Sequence, residues 1–294
     1  MLVGAGTATF DVICAGEALW DVGTLGDLER ARGPRPSLRL RPGGGAVNAA
    51  LTLARSGLRV GLAVTLADDA LGRSLLAKVT AAGVDAAGVV LAPPRARLLV
   101  AVAAGGAHRL VGLRTEDRLP VTVPGGWTAT VLLLSGLSPA LAYAAELCRA
   151  ARAARRVGTI VVVDVNARRR TWAGWDPRTI RALLHEADVV RGSTEDLAAL
   201  GIDEPAVRAA MRPSAALVLT HGPGAARATG PFGDIARPPP TVVARHAAGA
   251  GDAFTAAICA ELVRAGDHAA ERPELWDRAL SRGHAAASAR MAST

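Results

Sequence analysis

The residues with the clearest chemical potential form one short run, Gly249-Ala250-Gly251-Asp252-Ala253-Phe254, followed by an apolar-periodic stretch from Ala256 to Val263 and then by Gly266. The period predicts a helix, so the run lies at a helix N-terminus, where backbone N–H groups lack partners and the peptide dipoles favour negative charge. Glycines there let the backbone close on an anion, and Gly249, Ala250 and Gly251 read as an anion hole for a phosphoryl group. Asp252 then stands where its carboxylate can accept the proton of an attacking hydroxyl. Phosphoryl transfer asks little of such a base, because positioning and electrostatics supply most of the rate. The same residues also suit a reading in which Asp252 merely caps a helix, and the run alone does not choose.

A second glycine cluster, Pro42-Gly43-Gly44-Gly45-Ala46-Val47-Asn48-Ala49-Ala50, also opens a helical stretch. Here Gly43 and Gly44 would let a polyhydroxylated ligand lie against bare backbone, and the Asn48 amide can both donate to and accept from hydroxyls. The alternative is a flexible loop with Asn48 as helix N-cap. Neither cluster is a Walker A loop, no GxGxxG follows a strand, and HExxH and GxSxG are absent. P-loop ATPases, dinucleotide-binding dehydrogenases, zinc hydrolases and serine esterases thereby lose their usual sequence support.

The elements that must position these residues alternate short β-branched runs with longer alanine- and leucine-rich stretches, the pattern of an α/β protein with a mainly parallel sheet. Val12 to Ala15, Val60 to Thr65, Val131 to Ser135, Thr159 to Asp164, Ala187 to Val190 and Leu217 to Thr220 read as strands, and Asn48 to Ser56 as a helix closed by Gly57. Leu98 to Ala104 and Ala107 to Leu113 flank Gly105 and Gly106, which predicts a hairpin. With the arginine- and proline-rich stretch before it, this hairpin suggests a small sheet standing off the main body.

The chain has 294 residues, is 50% hydrophobic and carries a formal charge of +8, almost all of its cations being arginines. Those arginines are scattered and aromatics make up 3%, which argues against a nucleic-acid partner, whose binders gather cations and interleave stacking rings. Arg149 to Arg156 reads as a solvated helix face. Cys14, Cys148 and Cys259 stand far apart in apolar surroundings, which fits a reducing cytoplasm. No secretory leader is expected, since Asp11 and Glu17 interrupt the first apolar stretch, and no run reaches the roughly 18 apolar residues of a membrane span.

With both glycine clusters in this order, about two hundred residues apart, the chain resembles the ribokinase-like, or pfkB, carbohydrate kinases almost end to end. Cys14-Ala15-Gly16-Glu17-Ala18-Leu19-Trp20-Asp21 is similar to the family's opening strand and turn, whose aspartate binds sugar hydroxyls. This implies that role for Asp21. Gly43, Gly44 and Asn48 match the sugar-side GGxxxN, and Asp68-Asp69-Ala70-Leu71-Gly72 is similar to the architectural GDDxxG. Arg114 falls where many members place a lid arginine. Asp164-Val165-Asn166-Ala167-Arg168 resembles the DPNLR of fructokinases and 2-keto-3-deoxygluconate kinases, with Val165 in the proline's place, which implies that Arg168 reaches substrate or phosphate. Ala187-Asp188-Val189-Val190, followed by Ser193-Thr194-Glu195-Asp196, corresponds to ADVVKxNxxE. The resemblance thus implies that Ser193 touches the nucleotide and that Asp196 supports Mg2+ through water. Thr220-His221-Gly222 resembles the nucleotide-binding TxGxxG, with Ala225 at the last glycine.

The resemblance implies a single three-layer α/β/α domain over residues 1–294 with a small β lid from about 22–42 and 96–116. It implies ATP and Mg2+ as cofactors and a small sugar as acceptor. A neutral ketohexose or pentose and a keto-deoxy sugar acid rank level, the latter because Arg168 to Arg170 suit a carboxylate; a nucleoside ranks third. An impaired, metabolite-binding regulator is the reading from another class. Exposed lid strands pair between subunits in some relatives, which makes a homodimer through the lid an expectation. The family commonly reads DTTGAGD where this chain has His246-Ala247-Ala248 before the glycines, and the sequence stops at Thr294 where members usually supply further cation ligands. Together these departures predict no monovalent cation site.

Overall fold

Continuous runs of valine, leucine and isoleucine can bury both faces of a strand, and here they form the centre of the molecule. The computed structural model describes residues 7–22, 40–92, 98–104, 107–113, 121–136, 145–168, 180–241, 248–266 and 272–292. Strands β1 (Ala8–Gly16), β4 (Val60–Ala63), β9 (Trp127–Ser135), β10 (Ile160–Asp164), β11 (Val189–Ser193) and β12 (Ala216–Thr220) are parallel, and β13 (Ala226–Gly230) and β14 (Gly233–Arg237) continue the sheet antiparallel. The order across its eight strands is β14-β13-β12-β11-β10-β9-β1-β4.

Alternate side chains serve opposite faces, as the pleat requires. Val12, Cys14, Val131, Leu133, Val162, Val189 and Val218 pack with helices α1 (Gly45–Arg55), α2 (Ala70–Ala81), α7 (Ala250–Ala265) and α8 (Pro273–Ala292). Ile13, Leu132, Leu134, Val161, Val163, Val190 and Leu217 pack with α3 (Ala145–Arg156), α4 (Arg181–Glu186), α5 (Thr194–Leu200) and α6 (Glu204–Ala210). The result is the expected three-layer α/β/α arrangement. Full burial of one such side chain stabilises by about 1.5–3 kcal/mol, so these two apolar layers are what fix the strand ends on which the site stands.

A second sheet runs β3-β2-β7-β8, from β2 (Leu19–Val22), β3 (Leu40–Gly43), β7 (Leu98–Ala104) and β8 (Ala107–Leu113). β7 and β8 pair antiparallel from Ala104 and Ala107 outward, as the hairpin reading requires, and β7 lies parallel to β2. Much of the stretch expected to make a lid, including 23–39 and 114–116, lies outside the described residues.

The boundaries differ in informative ways. α1 starts at Gly45, three residues before the expected Asn48, because Gly44 takes φ +90° and turns the chain directly into the helix. Asn48 is therefore in the first turn and is not an N-cap. The expected strand Val60 to Thr65 splits: β4 joins the main sheet while β5 (Thr65–Ala67) pairs with β6 (Val90–Ala92). The arginine-rich α3 does carry a partly solvated face, yet Arg152 and Arg155 converge on the buried carboxylate of Glu186 at 2.7 and 3.1 Å. Cys14 and Cys259 are buried, and all three cysteines are free thiols. No helix among the described residues is long and apolar enough to cross a membrane.

Candidate active site

Three polar side chains interrupt the apolar sheet at its C-terminal edge, where open parallel sheets bind ligands. Ser135, Asp164 and Arg191 are lateral neighbours in register on β9, β10 and β11. Asp164 is fully buried and accepts hydrogen bonds from Ser135 Oγ at 3.1 Å, Thr255 Oγ1 at 3.1 Å and Arg191 Nη1 at 3.2 Å. Burial pushes its carboxyl up to about 6, against the pull of the Arg191 guanidinium. For Arg191 burial works against the charge, but Asp164, Asp196 and Asp252 more than offset it and keep the group protonated. Its Nη2 donates to Thr220 Oγ1 at 3.1 Å. A Cβ on Gly251 would stand 3.2 Å from both terminal guanidinium nitrogens, so the second glycine of the run is what admits this cation beneath the start of α7.

The first turn of α7 opens with Gly249 as N-cap in the left-handed region at φ +78°, a conformation that favours glycine. No side chain caps this helix. Asp252 is the third helical residue, and its carboxylate turns sideways to accept Asn48 Nδ2 at 2.7 Å and Asn166 Nδ2 at 3.1 Å. The capping alternative for Asp252 is thus set aside. Asn166, just beyond β10, holds φ +40°, a backbone region in which asparagine is among the few tolerated side chains. Gly249, Ala250, Gly251, Asp252 and Asn48 are therefore brought together as the sequence suggested. Asn166 and Arg191, to which the sequence assigns no role, join them from inside two of the family-like motifs.

Asp21 faces the same cleft. Its carboxyl is pushed up to about 7, first by burial and then by the negative charges of Asp252 and Glu17, with Arg290 and Arg168 working the other way. The glycines of the second cluster do not simply leave the bare backbone for a ligand that their spacing suggests. Instead they admit the protein's own groups: Asp21 Oδ2 stands 2.6 Å from where a Gly43 Cβ would be, and the Glu17 carbonyl oxygen 2.3 Å from the Gly44 position. Gly45 leaves room in the same way for Ser135 Oγ and Asn166 Nδ2.

On the other side of Arg191 the polar groups engage one another. Ser193 is the N-cap of α5 and forms a capping box with Asp196: Ser193 Oγ accepts Asp196 N at 3.1 Å, while Asp196 Oδ2 accepts Ser193 N at 2.7 Å. The other Asp196 oxygen accepts Arg168 Nη1 at 3.1 Å, and the residue is 2% exposed. The Asp196 carboxylate is thus held by Ser193 and Arg168 within the protein, and no group of three or more histidine, cysteine or acidic residues suited to a metal ion occurs among the described residues. Arg168 thereby spends one nitrogen on Asp196, although its charge still reaches Asp21. Thr220 ends β12 opposite Ser193, and Gly222 follows in the turn with φ +56°. Asp69 accepts Gly72 N at 2.8 Å as the N-cap of α2, which is the architectural role expected of its motif. Arg114 lies outside the described residues.

A buried row of paired acid and base, a helix terminus with the Arg191 guanidinium beneath it and two carboxylates in one cleft is an arrangement suited to holding a phosphoryl group beside an alcohol. The chain superposes on aminoimidazole riboside kinase from Salmonella enterica with a TM-score of 0.76 at 23% identity, covering 98% of this chain and 94% of that one. Fructokinase with bound ATP from Xylella fastidiosa gives 0.78 at 22%, covering 97% and 92%. A fructokinase variant from Vibrio cholerae, in a form with fructose, ADP and potassium ion bound, gives 0.78 at 19%, covering 98% and 94%. At these identities the likeness is one of fold. The sequence pattern described as pfkB family carbohydrate kinase matches residues 10–294. The chain belongs to the pfkB family of carbohydrate kinases, phosphotransferases that use a hydroxyl group as acceptor.

Proposed function

We propose that this kinase moves the γ-phosphoryl group of ATP onto a hydroxyl of a small sugar, with Asp252 as base. The observation that carries this reading is the Asp252 carboxylate, fixed in the first turn of α7 by amides from two other elements while Asp21 shares its cleft. Asn48 and Asn166 orient the carboxylate without supplying a proton, since an amide only donates through its N–H groups. Asp21 accepts hydrogen bonds from other hydroxyls of the acceptor. As the acceptor oxygen bonds to phosphorus, its proton passes to Asp252 and ADP leaves. The backbone N–H groups of Gly249 to Gly251 face the charge that develops on the phosphoryl oxygens, and Arg191 beneath them adds a fixed positive field. A divalent cation accompanying ATP neutralises phosphate charge when bound; no step here is routed through Asp196.

Thr220 and Gly222, at the end of β12, are our choice for the nucleotide side. The second sheet, with Arg114 beyond β8, is proposed as a lid that excludes water and so limits ATP hydrolysis. Its strands also offer a surface for a homodimer, and the free thiols suit a reducing cytoplasm. Because Arg168 is tied to Asp196, a neutral ketohexose or pentose gains on a sugar acid as acceptor. A nucleoside-like acceptor stays in the comparison, since one structural neighbour is a riboside kinase. The test is ADP release by the purified protein with ketohexoses, pentoses, keto-deoxy sugar acids and nucleosides in parallel. One class should stimulate release well above the acceptor-free background. Binding of a sugar with no ADP released by any of them would favour the regulator reading instead.

A further inference from the structure

Helices α7 and α8 pack side by side, with Gly283 and His284 of α8 against the Phe254 ring. This brings the last turn of α8 to the first turn of α7. A Cβ on Gly249 would stand 3.1 Å from Arg290 Nε and 3.4 Å from Arg290 Nη2. Arg290 is half-buried, and its charge reaches Asp21 across the cleft. Arg191 approaches the same turn from β11: it is 5% exposed, both terminal nitrogens lie against Gly251, and its buried Nε makes no hydrogen bond among the described residues. Two guanidinium groups therefore flank the residues 249–251 from different elements. A cation brought to the positive end of a helix raises a potential already favourable to anions. Such a place suits a doubly charged phosphoryl group and not a neutral sugar.

We propose that Arg290 contacts the phosphoryl group seated on the first turn of α7, closing from α8 a clasp whose floor is Arg191 and whose donors are the Gly249 to Gly251 amides. Guanidinium groups bind phosphate through two parallel N–H donors, which fixes orientation as well as charge. Arg191 is too deeply held to reach a ligand and acts through position, whereas Arg290 is only half-buried beside Gly249. That the phosphoryl group is the γ-group of ATP rests on the kinase reading; that an anion binds beside Arg290 does not.

The experiment is calorimetric titration of the wild type, R290Q and R290K with inorganic phosphate, ADP and a non-hydrolysable imido analogue of ATP. R290Q should weaken phosphate and the analogue by about tenfold, the size of one charge-assisted hydrogen bond, and ADP by less than about twofold. R290K should recover part of the loss. R290Q binding phosphate and the analogue as tightly as wild type overturns the proposal, as does an equal loss for ADP. Equal losses in R290K and R290Q with a lowered Tm in both also overturn it, because packing would then carry the effect. Wild-type binding of phosphate without nucleotide would sink the kinase reading while still showing whether Arg290 holds the anion.

Discussion

With Asp21 binding acceptor hydroxyls as proposed, the acceptor side of this kinase should be sensitive to pH in an unusual range. Its carboxyl titrates at about 7, against an ordinary 3.8, because burial and the charges of Asp252 and Glu17 disfavour its ionised form. Only that form accepts hydrogen bonds on both oxygens from an acceptor hydroxyl. With a midpoint of 7, roughly nine-tenths of the molecules carry the ionised form at pH 8 and roughly one-tenth at pH 6. The kcat/KM for the acceptor, which reports the free enzyme, should therefore fall about tenfold between those values. Asp21→Asn should lower it at pH 8 and abolish the limb near 7. Stability moves the other way. Since the folded-state value is raised, the contribution of Asp21 is fully present below 3.8 and is lost as pH rises through about 7. The assay is coupled ADP release under limiting acceptor, with urea unfolding at the same pH values. An acceptor kcat/KM that stays level from pH 6 to 8, or an Asp21→Asn variant that keeps the limb near 7, would refute this reasoning.

Ser193→Ala removes the α5 cap and should cost about 1 kcal/mol in urea unfolding, with the KM for ATP changed by less than about twofold; a larger rise in KM without lost stability would return Ser193 to the nucleotide. Because His246 stands where the family pattern carries an acidic residue, rates in sodium, potassium and Tris buffers should be equal, and a several-fold stimulation by potassium would show a cation site after all.

The layers of the fold were legible because strands covered on both sides must be apolar at every position, so Val131 to Ser135 and Thr159 to Asp164 announce themselves. The hairpin of β7 and β8 was legible through its paired glycines. The antiparallel extension β13 and β14 was not. It is an edge, its strands hold Arg227 and Asp234 in an exposed ion pair, and an edge strand has little apolar signal to give. At the site, the Gly249 to Asp252 run could be read because anion binding at a helix terminus is local physics. Asn166 and Arg191 gain their meaning only from partners 86 and 27 residues away, Asp252 and Asp164. The serine and aspartate at 193 and 196 carry a signal that the resemblance overshadows: spacing of three before a helix is a local capping signal, and the capping box is what the structure shows of them.

The account stands on Asp252 receiving the proton of the acceptor hydroxyl. Asp252→Asn keeps the size of the side chain but sets an amide against the amides of Asn48 and Asn166, so its fold must first be checked by circular dichroism and by nucleotide binding. With that established, acceptor-dependent ADP release should drop by about a hundredfold or more, as removal of a catalytic base requires. A folded, nucleotide-binding variant that releases ADP at a rate close to wild type would contradict it.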